Sequence, residues 1–176
     1  MRNIISIVLI LVSFTIFGVR IAKKIQFKQN VSGYLKRAAD ANTIELAHEE
    51  LTKVIDYLEA NNITSGYTSM IWETPDEDIS FWYRNLKASQ AELQNLKSNS
   101  ALERTNVLIK LRETLVDTGK STKVTVPRGL AVYPNNGLWG ILILIALLSL
   151  FFSFILFAIE SEKKSKKKKE QQLSSS

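Results

Sequence analysis

Residues 138–159 read LWGILILIALLSLFFSFILFAI, twenty-two residues without a charge, and ESEKKSKKKKEQQ follows at once. As a helix rising about 1.5 Å per residue, the run reaches roughly 33 Å, enough to cross the roughly 30 Å hydrocarbon layer of a bilayer. It is therefore read as a transmembrane helix, with residues 160–176 as a lysine-rich tail. Lys163, Lys164, Lys166, Lys167, Lys168 and Lys169 are costly to draw through lipid and act as a stop signal. Topology alone accounts for such lysines, but they are also candidate contacts for anionic lipid headgroups, worth about 1 kcal/mol each near such a surface.

At the other end, residues 4–19 (IISIVLILVSFTIFGV) form a second uncharged run, followed by Arg20, Lys23 and Lys24. Long basic side chains snorkel to the interface, so Arg20 need not end a span. No small-x-small cleavage site follows, which favours an uncleaved signal anchor over residues 1–22 rather than a removed signal peptide. Two spans place both termini on one side. The charges disagree about which side: those after the first run favour a cytoplasmic loop, whereas the tail favours cytoplasmic termini. Long loops translocate largely regardless of charge, so the tail decides, and the middle of the chain is expected outside a plasma or inner membrane.

The middle reads as helices. Phe27, Val31, Tyr34, Ala38 and Ala41 recur at spacings of four and three, a stripe weakened by Gly33 at about 1 kcal/mol relative to alanine. Asn42-Thr43-Ile44-Glu45 has the form of a capping box, and Ile44, Ala47, Leu51, Val54 and Leu58 form the seam of the helix it opens. After an unusually apolar connection over 63–73, Thr74-Pro75-Asp76-Glu77 predicts a helix from Pro75, with a threonine cap and acids near unsatisfied amides. Ile79, Trp82, Leu86, Ser89, Leu93 and Leu96 are its seam. Ser100 with Glu103 predicts a cap for a fourth helix carrying Leu108, Leu111 and Leu115, ended by Gly119. Residues 120–137, with two prolines, read as an extended linker or a short hairpin around Pro127-Arg128-Gly129. The fold class expected is thus an all-α membrane protein, an antiparallel four-helix bundle over 23–119 between two transmembrane helices.

Of the net charge of +6, the tail carries six basic residues; residues 24–136 balance fourteen Lys and Arg against fourteen Asp and Glu, so no nucleic-acid face is implied. The chain has no cysteine and one histidine, His48, which removes disulfides, thiol catalysis and most transition-metal sites. His48-Glu49-Glu50 begins like a zinc-hydrolase helix, but Thr52 stands where the second histidine is required. Glu73, Asp76, Glu77 and Asp78 offer carboxylate oxygens to a divalent cation, yet acids are favoured in a first turn without any metal. No cofactor, metal site or catalytic constellation is predicted.

The candidate contact residues are aromatic or branched: Tyr67, Ile71 and Trp72 in the apolar connection, which suit an interfacial depth, and Phe81, Trp82 and Tyr83 in the third helix. Neighbours on a helix point about 100° apart, so the three aromatics cannot share one seam. They are expected in core, membrane contact, a partner surface or a ligand pocket. Within the apolar runs, Ser6, Ser13, Gly140, Ala146, Ser149 and Ser153 are small enough for helices to approach closely, so the spans are expected to pair with each other or with a partner. The layout is similar to the ligand-sensing half of bacterial chemoreceptors in arrangement alone; no motif matches, and the tail holds no signalling module. The function expected is a non-enzymatic, membrane-anchored interaction or accessory subunit, with another membrane protein or a second copy as partner. The alternative is a ligand-sensing bundle that signals through a separate membrane protein.

Overall fold

The computed structural model describes residues 2–98, 100–117, 119 and 122–174. The chain divides into two compact units, Met1–Ala22 with Gly137–Ser176, and Lys23–Asn136. Among the described residues the fold is all-α apart from one short pair of strands.

The first unit pairs most of α1 (Arg2–Phe27) with α6 (Asn136–Ser174). Both helices are long and apolar enough to cross a membrane. Their large side chains, Ile4, Leu11, Phe14, Leu144 and Phe154 among them, point outward, while Ser6, Ser13, Ala146, Ser149 and Ser153 are buried between them. Small residues bring the backbones close enough for hydroxyls to reach across. The Ser6 and Ser153 hydroxyls lie 2.6 Å apart, and Ser153 Oγ is 3.1 Å from the Ser6 carbonyl. Ser13 Oγ donates to the Ala146 carbonyl at 2.9 Å. As α1 advances its partner on α6 recedes, so the two helices run antiparallel.

In the second unit, α1 passes through a π turn (Lys28–Ser32) into α2 (Gly33–Ala39). The wide turn brings the Lys28 carbonyl within 3.1 Å of where a Cβ on residue 33 would sit, so glycine fits there better than its helix propensity suggests. The extra residue also turns the stripe: Leu35, not Tyr34, is the buried side chain after Val31. The next helix, α3 (Ile44–Ala60), starts one residue later than its capping box predicts: Thr43, not Asn42, is the cap, its Oγ1 accepting from the Leu46 amide at 3.2 Å.

The following helix starts later than the sequence predicts. Pro75–Glu77 is a single 3-10 turn, and α4 (Ile79–Asn95) is capped by Asp78, whose Oδ1 accepts from the Phe81 amide at 3.0 Å. Its partner α5 (Ala101–Leu115) lacks the predicted cap bond from Ser100. It also ends before Gly119, because Val116 turns extended: β1 (Val116–Asp117) pairs antiparallel with β2 (Lys123–Val124), Val116 opposite Val124. A β-branched side chain suits a paired strand better than a last helical turn.

The hydroxyl of Tyr83 meets Glu59 and the amide of Gln90 meets Thr52, so α4 runs antiparallel to α3. Helices α2 and α4 each pack on both α3 and α5, around Leu35, Leu51, Ile55, Leu58, Leu86 and Leu115. Residues 120–137 are not a free linker where they are described. Leu130 is buried in this same core, with Val126 and Tyr133 packed against it, since a branched apolar side chain gains more in the core than in water.

Candidate functional site

The apolar connection folds back on itself. The Ile79 amide donates to the Gly66 carbonyl at 2.9 Å, the Thr68 amide to the Glu77 carbonyl at 3.1 Å, and Tyr67 bridges Asp78 as an antiparallel pair. Gly66 has φ +95°, and a Cβ there would stand 2.6 Å from the Tyr133 hydroxyl, which donates to the Ser65 carbonyl at 2.7 Å. Only glycine meets both conditions. Above this closed stem the tip is left outside: Met70, Ile71 and Trp72 are 69%, 79% and 74% exposed, and Tyr67 is also exposed. The Trp72 amide donates to Ser69 Oγ, so the tip has local hydrogen bonds but no apolar cover within its own unit.

The three aromatics of α4 separate as helical geometry requires. Phe81 faces outward at 55% exposure, whereas Trp82 is 8% exposed and its indole Nε1 donates to the Thr125 carbonyl at 2.9 Å. Trp82, expected among the contact residues, is thus mainly a core side chain. Tyr83 is half-buried and its hydroxyl donates to Glu59 Oε1 at 2.5 Å, with Lys87 Nζ 3.4 Å from the same oxygen. Burial, then the bond to Glu59, push the Tyr83 phenol up to about 12. The Tyr83 bond, followed by Lys87, holds the Glu59 carboxyl below its usual value.

Phe81 and Trp82 form one wall of a cleft of about 520 Å³. Its opposite wall is the strand pair and the segment through Arg128, the stretch the sequence offers as linker. Among the described residues five charges line it: Asp76, Asp78, Asp117, Lys123 and Arg128. Asp78 commits one oxygen to the helix cap and Asp117 accepts from the Gly119 amide at 3.0 Å, while facing Lys123 across the ladder. Among the described residues no ion pair joins any of the five. Lys123 and Arg128 were missed by sequence reasoning, because nothing in a short, non-periodic stretch tells which wall it will form.

The acidic group does not assemble a metal site. Thr74 Oγ1 donates to Glu77 Oε2 at 2.7 Å, and no group of three or more His, Cys, Asp or Glu comes together for a metal among the described residues. His48 is half-buried, and its carbonyl accepts from Thr52 Oγ1. Its neighbour Glu50 is only 1% exposed, a carboxylate that periodicity does not mark. Arg37 at 2.7 Å and Lys53 at 3.0 Å both reach its Oε1, and both cations lie 5.6 Å from the Tyr34 ring. A buried carboxylate needs such partners, so this cluster is a structural tie between α2 and α3.

Lys163, Lys164, Lys166, Lys167 and Lys169 are exposed on α6, which continues as helix as far as Ser174; the Lys168 side chain lies outside the described residues. Lys166 pairs with Glu162 at 3.1 Å, one turn earlier. No protein-family model, curated protein or solved structure matches the chain.

Proposed function

We propose that the chain is a non-enzymatic, membrane-anchored interaction protein, an accessory or scaffold subunit of a membrane complex. In this reading α1 and α6 span the bilayer, Lys23–Asn136 stands outside as an antiparallel bundle, both termini are cytoplasmic, and the lysine tail meets anionic headgroups. The observation that carries it is the Met70-Ile71-Trp72 tip, three large apolar side chains held out on a closed stem. Fully burying such a side chain is worth about 1.5–3 kcal/mol, which the chain alone leaves unrealised. A contiguous apolar group of this kind marks a docking point.

Cross-linking of the detergent-solubilised protein at native expression tests the reading. A complex is expected with the natural chain and is lost when Met70, Ile71 and Trp72 are all replaced by serine with the helix content unchanged. A strictly monomeric natural chain overturns it. For orientation, protease added to the outer face of sealed vesicles is expected to cut at Arg84 and Lys110; cutting only from the cytoplasmic face inverts the topology.

A second reading, a ligand-sensing unit that signals through a separate membrane protein, is favoured by the cleft beside Trp82. Its volume falls within the range of about 300–1,000 Å³ common to small-molecule sites. A thermal-shift screen is expected to find a ligand whose effect Trp82→Ala abolishes.

A further inference from the structure

We infer that the cleft takes a dipolar ligand, one that carries an ammonium and a carboxylate on an apolar or aromatic body. This rests on the second reading above, that the cleft is a ligand site.

The charges of the cleft carry the inference. Elsewhere in the same unit several exposed opposite charges settle into ion pairs: Lys110 with Glu92 at 2.8 Å, Arg104 with Glu45 at 2.6 Å, Lys53 with Glu49 at 2.8 Å. Among the described residues Asp56, Arg84, Glu103 and Glu113 stay out of ion pairs, but singly and not gathered in one concavity. In the cleft, three acids and two bases share one concavity and none pairs with another among the described residues. Among the described residues, Asp76, in the turn before α4, and Arg128, beyond β2, have neither an acid nor a base committed to them. A ligand of a single sign would satisfy one of them and face like charge at the other. A ligand with both signs satisfies both, its carboxylate on the planar fork of Arg128 and its ammonium on Asp76. Phe81 supplies an exposed ring for the same ammonium or for an apolar body, with the largely buried Trp82 beside it in the same wall. Free amino acids and short peptides share this chemistry, and the volume admits either.

The test uses the full-length chain in detergent with Trp72→Phe and Trp139→Phe, which leaves Trp82 as the single tryptophan. Its fluorescence is titrated with L-phenylalanine, the dipeptide Gly-Phe, 3-phenylpropanoate and phenethylamine. The two dipolar probes are expected to give saturable changes, and the two singly charged analogues to bind at least about tenfold more weakly, since each forgoes one charge-assisted contact. Arg128→Gln is expected to weaken phenylalanine by about tenfold while changing phenethylamine less than about twofold. Asp76→Asn does the converse with 3-phenylpropanoate as the insensitive probe. Tighter Gly-Phe than phenylalanine assigns the ligand to peptides, and the reverse assigns it to free amino acids. Calorimetric titration of the unsubstituted chain repeats the comparison if the double substitution disturbs folding. Equal binding of dipolar and singly charged probes overturns the dipolar assignment and leaves the cleft a ligand site. No binding by any probe in either measurement overturns both.

Discussion

The two units of the chain bury opposite kinds of side chain. In Lys23–Asn136 the interior is Leu35, Leu51, Ile55 and Leu58, and the ion pairs lie on the surface except at Glu50, whose buried carboxylate meets Arg37 and Lys53. Between α1 and α6 the interior is Ser6, Ser13, Ser149 and Ser153, and the surface is isoleucine, leucine and phenylalanine. In water, apolar burial is the main force that closes a core. Where the surroundings are as apolar as the helix surface that force is absent, and close packing with interhelical hydrogen bonds takes its place. The inverted pattern therefore speaks for the solvent each surface is built to meet, and it is what supports the membrane reading of the helix pair.

Pairing one substitution in each unit puts this contrast at risk. Leu51→Ala is expected to cost the helical unit about 2–5 kcal/mol, whereas Leu144→Ala, on the outer face of α6, costs within about 0.5 kcal/mol in a bilayer or detergent. Thermal denaturation followed by circular dichroism measures both, and equal losses would break the comparison. Thr43→Ala removes a formed cap and is expected to cost about 1 kcal/mol, against almost nothing for Ser100→Ala, which makes no cap bond. Between the apolar helices, Ser13→Ala and Ser153→Ala are expected to cost about 0.6 kcal/mol each, the scale of hydrogen bonds within a bilayer. Larger losses there would mean that hydroxyls, not packing, hold the pair.

A further effect of the helical unit is read by pH. The protonated Tyr83 phenol is favoured in the fold, raised from 10.0 to about 12. Its contribution is full below the unfolded value of 10.0 and is lost as pH rises toward about 12. Glu59 acts in the other direction: its lowered pKa gives stability present above the ordinary carboxylate range and lost as the pH falls. Ultraviolet difference absorbance should show one tyrosine ionising later than a free phenol, a component that Tyr83→Phe removes.

What could be read from the chain depended on how local its cause was. The apolar runs are written in consecutive residues and stand where the sequence puts them, and the cap of α3 falls within one residue of its motif, on Thr43 instead of Asn42. The start of α4 is not local. Thr74-Pro75 carries every sign of a helix opening, but the bonds that close Gly66 onto Ile79 hold Asp78 extended and make it the cap. Leu35 was missed because a π turn adds one residue to the period. The far wall of the cleft was illegible for a related reason, since Leu130 and Val126 reach the core through contacts distant in sequence. Half of the candidate site, Phe81 and Trp82, lay on a readable helix; Lys123 and Arg128 did not.

The serine contacts also set a phase. Ser13 stands seven residues after Ser6, and Ala146 seven before Ser153, so both contacts recur after one heptad. Sliding one helix by a single residue would carry its contact side chains about 100° around the axis and undo both bonds together. The next setting that could re-engage a contact lies about 10 Å away. The pair therefore behaves as a vernier with widely spaced notches, and one residue inserted between positions 146 and 153 would let it engage at one notch only.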